Sequence, residues 1–202
     1  MKIKIVGIIT TLFLAFTVLT VSVLKCASVP HAFSPMVLSE TNSPTEEIQI
    51  DYVLAYPGKI MPDNLLWYVK ALRDKIWYTV TLNPSKKAEL NLLFADKRLS
   101  MAETLFKNNK PDLGLSTLTK AEKYLEKATP IDNKNPEYLN KLALASLKHR
   151  EVIEKEILPI SSEDLKPEVN KITSYSKETY IKARDLLRSI GLTPHLNPFE
   201  VE

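Results

Sequence analysis

The chain has 202 residues, a formal net charge of +3, one cysteine and three histidines. Its length suits one ordinary domain with its own core, and the lone Cys26 excludes an intramolecular disulfide. Lys2, Lys4 and Lys25 hold the charge excess, since without them the basic residues match the 24 acidic ones; composition therefore offers no basic face for nucleic acid.

Ile5 to Leu24 is an uncharged run bracketed by those lysines. About 20 apolar residues suffice to cross a hydrocarbon core of roughly 30 Å as a helix. Residues 1–28 are therefore expected to be a single-pass membrane anchor, with lipid as the partner of the N-terminal helix. The leading lysines place the N-terminus in the cytoplasm and the rest of the chain outside it. A cleaved secretory signal is the alternative, cut after Ser28 or Ser34, although the apolar run exceeds the usual 7–15 residues. Cys26 stands where a lipidated cysteine would, but Lys25 occupies the position that needs a small residue, so Cys26 reads as an incidental thiol.

Residues 29–47 are rich in Ser, Thr and Pro and read as a stalk. A helical domain is expected over residues 48–191, and an irregular tail over 192–202. The domain opens with the partly alternating segment Ile48 to Leu54, then Pro57-Gly58, which suits the centre of a type II turn. Asp63 or Asn64 is placed to cap a helix over Leu65–Val80. Its stripe Leu65, Val69, Leu72, Ile76 and Val80 predicts burial against the next helix. Trp67, Tyr68, Trp77 and Tyr78 add aromatic bulk beside it. They read as core packing, or, if a subset is exposed, as a surface for a partner or the membrane interface.

Asn83-Pro84 ends that helix and starts the second with a cap and a first-turn proline. Ala88, Leu92, Ala95, Leu99, Ala102 and Phe106 form a heptad seam there, widened by Leu90, Phe94, Met101 and Leu105 into a bundle-type stripe. Asn108 to Pro111 breaks the chain tightly. A third helix, near Pro111 to Ala128, carries Leu115, Leu118, Ala121, Leu125 and Ala128 on one face. Asn135-Pro136 repeats the cap signature for a fourth, with Leu139, Leu142, Ser146, His149, Ile153 and Ile157, ending at Pro159. A fifth runs from Glu163 or Pro167 to Ile190, with Val169, Ile172, Ser176, Thr179, Ala183, Leu186 and Ile190. Gly191 stops it. The fold class is all-α: a transmembrane helix followed by an extracytoplasmic antiparallel bundle of four to five helices.

Five short motifs resemble an uncharacterised bacterial family, domain of unknown function 5667. They are Pro57-Gly58, Pro62-Asp63, Leu72-Arg73-Asp74-Lys75, Pro84-Ser85-Lys86-Lys87-Ala88-Glu89 and Ala95-Asp96-Lys97-Arg98-Leu99. The resemblance covers about residues 50–130. It implies an N-terminal membrane segment or signal and a helical extracytoplasmic domain. It implies no activity and no catalytic residues.

No catalytic, cofactor-binding or metal-ligating set stands out. His31, His149 and His195 are far apart, no Glu-x-x-His occurs, and the four glycines are isolated. His149, on an apolar stripe, reads as a packed helix residue and not a ligand. Asp96-Lys97-Arg98 and Lys70, Arg73, Asp74 and Lys75 read as surface or inter-helix ion pairs, with a docking patch for an envelope protein as the alternative. The expected role is therefore structural or interactive, in the bacterial cell envelope and not enzymatic. A tetratricopeptide-like scaffold is the second reading, from Phe94 to Ala128 with small Ala102, Ala121 and Ala128. The segment from Pro136 does not reproduce that alanine pattern. A secreted helical protein, after signal cleavage, is the third.

Overall fold

The structure, a computed structural model, describes residues 17, 18, 21, 50–130 and 135–200. The expected anchor and stalk lie outside the described residues, except for Thr17, Val18 and Val21, which are helical. Among the described residues, no helix is long and apolar enough to cross a membrane. They form five α-helices and no strand: α1 (Trp67–Val80), α2 (Pro84–Lys107), α3 (Pro111–Lys127), α4 (Pro136–Val152) and α5 (Lys166–Ser189). A π-helical turn, Ile153–Ile157, extends α4.

The asparagine–proline pairs act as the sequence requires. Asn83 Oδ1 accepts from the amides of Ser85 and Lys86, and Asn135 Oδ1 from those of Glu137 and Tyr138. Each cap satisfies amides that a helix start leaves without intrahelical acceptors. The C-terminal ends of α2 and α5 close alike. Asn109 (φ +56°) and Gly191 (φ +78°) adopt the left-handed conformation. The following amides reach back five residues, Lys110 to Leu105 and Leu192 to Leu187. This reverse turn satisfies carbonyls at the helix end. The wider turn of the π segment, with the Leu158 amide on the Ile153 carbonyl at 2.8 Å, keeps both Ile153 and Ile157 fully buried.

Helices α2 to α5 form the bundle, and their expected stripes line its interior, except that Leu115, Leu186 and Ile190 are only half-buried and Leu187 is the fully buried leucine at the end of α5. All ten seam and flanking positions of α2 are buried, as are Leu139, Leu142, Ser146, His149, Ile153 and Ile157 of α4. The hairpin α2–α3 is antiparallel: Asn91, near the start of α2, donates to the Lys127 carbonyl at the end of α3. At the opposite end, Gly114 of α3 lies against Phe106 of α2. Helices α4 and α5 are antiparallel too, since Leu139 clusters with Leu187 at one end and Ile157 with Val169 at the other. The bundle interior thus has two apolar halves, with a smaller cluster of Leu90, Leu93 and Phe94 beside them, against which Trp77 and Tyr78 pack. One half holds Leu92, Leu125, Leu142 and Leu187; the other holds Leu99, Leu118, Ile153 and Ile172.

Ahead of the bundle, Ile50 to Leu54 alternates as predicted but pairs with no strand. Ile50, Tyr52 and Leu54 pack onto the core while Asp51 and Val53 face out. Gly58 has φ +81°, as the second central position of the expected turn requires.

Helix α1 departs from expectation. Four of the five stripe positions are exposed, and only Ile76 is half-buried. Leu65 is 82 % exposed, Val69 60 %, Leu72 53 % and Val80 59 %. The covered face is the aromatic one. Trp77 meets Phe94 edge-on at 6.0 Å, and Phe94 meets Tyr124 at 5.6 Å. Asp74 is the one buried residue of α1. The helix also starts two residues late. Asn64 caps only the preceding turn, accepting from the Leu66 amide at 2.9 Å.

Two stability outcomes follow. Leu72→Ala should change stability by no more than about 0.5 kcal/mol, as surface substitutions do, whereas Leu142→Ala should cost about 2–5 kcal/mol through the cavity it leaves; urea melts of both check the orientation of α1. Gly114→Ala should destabilise although alanine is the better helix former by about 1 kcal/mol. A Cβ there would stand 2.8 Å from the Phe106 ring, and overpacking of this kind costs about 1–3 kcal/mol. A melt showing Gly114→Ala more stable than the parent would refute the close α2–α3 contact.

Candidate functional site

Between the two apolar halves lies a polar layer to which every bundle helix contributes. Asp96 falls between Leu92 and Leu99 of α2, beside the seam residue Ala95, and Glu122 between Leu118 and Leu125 on α3. His149 falls between Ser146 and Ile153 on α4, and Ser176 and Thr179 follow Ile172 on α5. All are buried. Helical spacing gives them no alternative, since each sits three or four residues from apolar neighbours on the same stripe.

His149 is the centre. Its Nδ1 lies 2.6 Å from Glu122 Oε1 and its Nε2 3.1 Å from Asp96 Oδ1. The side chain is 0 % exposed. An imidazole flanked by two carboxylates satisfies both only as the doubly protonated cation, which donates from both nitrogens. Tyr52, from the segment that crosses the bundle, donates to Asp96 Oδ2 at 2.8 Å. Burial, followed by the charge and hydrogen bond of Asp96, pushes the Tyr52 hydroxyl far above its ordinary range, so it stays a donor. Ser146 and Ser176 bond to carbonyls of their own helices, those of Leu142 and Thr173.

Burial alone would lower the His149 pKa. Glu122 and Asp96 overcome that and raise it to about 9. The layer is therefore an ion-paired triad at neutral pH, sealed from solvent. A cation held between two anions in this way is suited to ordering the helices that carry it.

A second group of buried charge ties α1 to the hairpin. Arg98 of α2 stacks over Tyr124 at 4.5 Å and Phe94 at 5.5 Å. Burial lowers its pKa, and the Asp74 charge works against that. Asp74 is itself gripped by Arg73 at 2.7 Å. Lys70 donates to the carbonyls of Pro57 (2.7 Å) and Ile60 (3.1 Å), fixing the turn before α1. Asp63 meets Lys110 at 2.6 Å, linking that turn to the α2–α3 connection. The expected surface ion pairs are thus partly interior: Asp74, Asp96 and Arg98 are buried.

The C-terminal tail is irregular but held down. Tyr180 donates to the His195 carbonyl at 2.7 Å, and Arg150 stacks on Phe199 at 4.2 Å. A cleft of about 630 Å3 opens between tail and α5, lined by Arg184, Arg188, His195 and Glu200 among others. His149 is buried whereas His195 is exposed, and His31 lies outside the described residues. Among the described residues, no three His, Cys, Asp or Glu side chains are placed to hold a metal ion.

These features define an all-helical bundle with an internal ion-paired layer and a helix laid on its outside. The model of one family, a domain of unknown function numbered 5667, matches residues 59–163, and the chain belongs to that family. The match starts after Pro57-Gly58, the first of the five motifs, and runs past residue 130 to take in α4 and the π turn. It contains Asp96, Glu122 and His149 but neither Tyr52 nor α5. No curated protein matches the chain, and no solved structure does.

The pH dependence of the triad has a definite sign. His149 has a folded pKa raised above its ordinary 6.5 to about 9. Its contribution is complete below about pH 6.5 and is lost as pH rises through about 9. His149→Gln should destabilise by about 3–5 kcal/mol, because it removes the cation paired with the buried Glu122 and Asp96. The gap between parent and variant in urea melts should narrow from pH 7 to pH 10. A constant gap would exclude the charged imidazole.

Proposed function

We propose that the protein is a membrane-tethered helical module that works outside the cytoplasm, in a structural or protein-interaction role in the bacterial cell envelope. The observation that carries this reading is the lysine-bracketed apolar run Ile5 to Leu24 ahead of a helical domain. The lysines hold the N-terminus in the cytoplasm and carry the domain across. The domain's most reactive-looking groups, Asp96, Glu122 and His149, are spent on one another in the interior. This favours recognition over chemistry: a module of this kind acts through its outer faces, and an envelope protein is the natural class of partner.

Protease added to spheroplasts tests the topology. It should digest the bundle and leave a small N-terminal fragment in the membrane. Complete protection would place the domain inside and overturn the reading. Recovery of a shortened, freely soluble form would replace the anchor with a cleaved signal.

A further inference from the structure

We propose that the outward face of α1 lies on the lipid bilayer, so that the domain is seated on the membrane and does not hang free at the end of its stalk. The inference rests on the tethered reading above and adds a second point of contact.

The face is unusual for its position. A helix on the outside of a bundle normally turns its apolar stripe inward and its charged face to water. Helix α1 does the reverse. Asp74, Trp77 and Tyr78 face the bundle, while Leu65, Tyr68, Val69, Leu72 and Val80 face out. At 3.6 residues per turn, Lys75 borders this stripe on one side and Arg73 on the other. The flanking segments continue the apolar surface, with Leu66 and Leu82 exposed at either end of the helix.

The orientation is fixed. Trp77 is locked edge-on against Phe94. Lys70 clamps the preceding turn through two carbonyls, and Asp63 is held by Lys110. Turning the stripe inward would break all of these. A contiguous exposed apolar patch rimmed by polar residues marks an interaction site. An apolar helical face edged by basic residues and carrying an outward tyrosine matches a helix lying in the plane of a bilayer interface.

The chain itself supplies the bilayer. The apolar run ends at Leu24, and Ile50 is already packed in the core. The 25 residues from Lys25 to Gln49 reach at most roughly 80–90 Å when fully extended and typically about 25–30 Å. Once the anchor is in place, contact between α1 and the membrane is an intramolecular event at high effective concentration. A surface too weak to bind vesicles firmly by itself is then sufficient.

The test uses the full chain in vesicles of phosphatidylethanolamine and phosphatidylglycerol. Cys26→Ser removes the only thiol, and single cysteines are introduced by Leu72→Cys, Val69→Cys or, on the exposed side of α5, Lys171→Cys. Each carries an environment-sensitive fluorophore, and spin-labelled lipid is the quencher. Positions 72 and 69 should show blue-shifted emission quenched severalfold more than position 171. Equal, water-like emission at all three sites would overturn the proposal. So would emission at 72 and 69 that is blue-shifted yet untouched by the lipid quencher, because the cover would then be protein: a second copy, an envelope partner, or residues 1–49. Alkaline extraction of the same vesicles addresses the tether separately. Release of the chain would overturn the anchor, while quenching at position 72 still decides where α1 lies.

Discussion

His149 between Glu122 and Asp96 is the constraint that the rest of the bundle must satisfy. Taking three ionisable groups out of water is expensive, and their mutual attraction offsets the cost only when the geometry is good. Here it fixes three helices at once. The two short contacts, 2.6 Å and 3.1 Å, leave little freedom for α2, α3 and α4 to slide past one another. Displacing any of the three by one turn would bury a carboxylate or an imidazolium opposite leucine. The apolar halves above and below supply most of the driving force for collapse, but leucine and alanine stripes are tolerant of register. The polar layer is not, and it gives the interior a single alignment.

Much of this was legible in the residues. The Asn-Pro pairs announce two helix starts through a mechanism, side-chain capping plus a proline with no amide to satisfy, and both act as read. The heptad seam of α2 and the stripe of α4 are interior at every position. The charged layer was not legible in this way: Asp96 reads as part of a surface or inter-helix ion pair and Glu122 does not stand out, although each lies one residue from a seam alanine, Ala95 or Ala121. Its meaning was hidden, since the three partners lie 27 and 53 residues apart. Spacing along one helix identifies a charge on a buried stripe and does not say which distant helix brings the counter-ion.

Helix α1 shows a different limit. Its sequence carries two candidate faces, an aliphatic stripe and an aromatic one with Asp74 at its centre. Periodicity marks the aliphatic face as the more regular. What decides is the surface offered by the partner: Phe94, Tyr124 and Arg98 present an aromatic and cationic platform that complements Trp77 and Asp74. Edge-to-face rings and a stacked guanidinium gain energy beyond the area they bury. An aliphatic stripe has no such preference for that platform, and so it is turned away from it.

Tyr52 also bears on what counts as an autonomous unit. The family match begins at residue 59, yet the hydroxyl that completes the coordination of Asp96 comes from seven residues earlier, and Ile50 covers the same end of the core. A fragment trimmed to the matched residues would keep every helix from α1 to α4 while uncapping an interior carboxylate and unroofing a leucine cluster. It would also lack α5, the source of Leu187 and Thr179. The smallest self-sufficient piece of this protein is thus defined by who supplies the last proton to Asp96. That boundary falls on a stretch with no regular secondary structure at all.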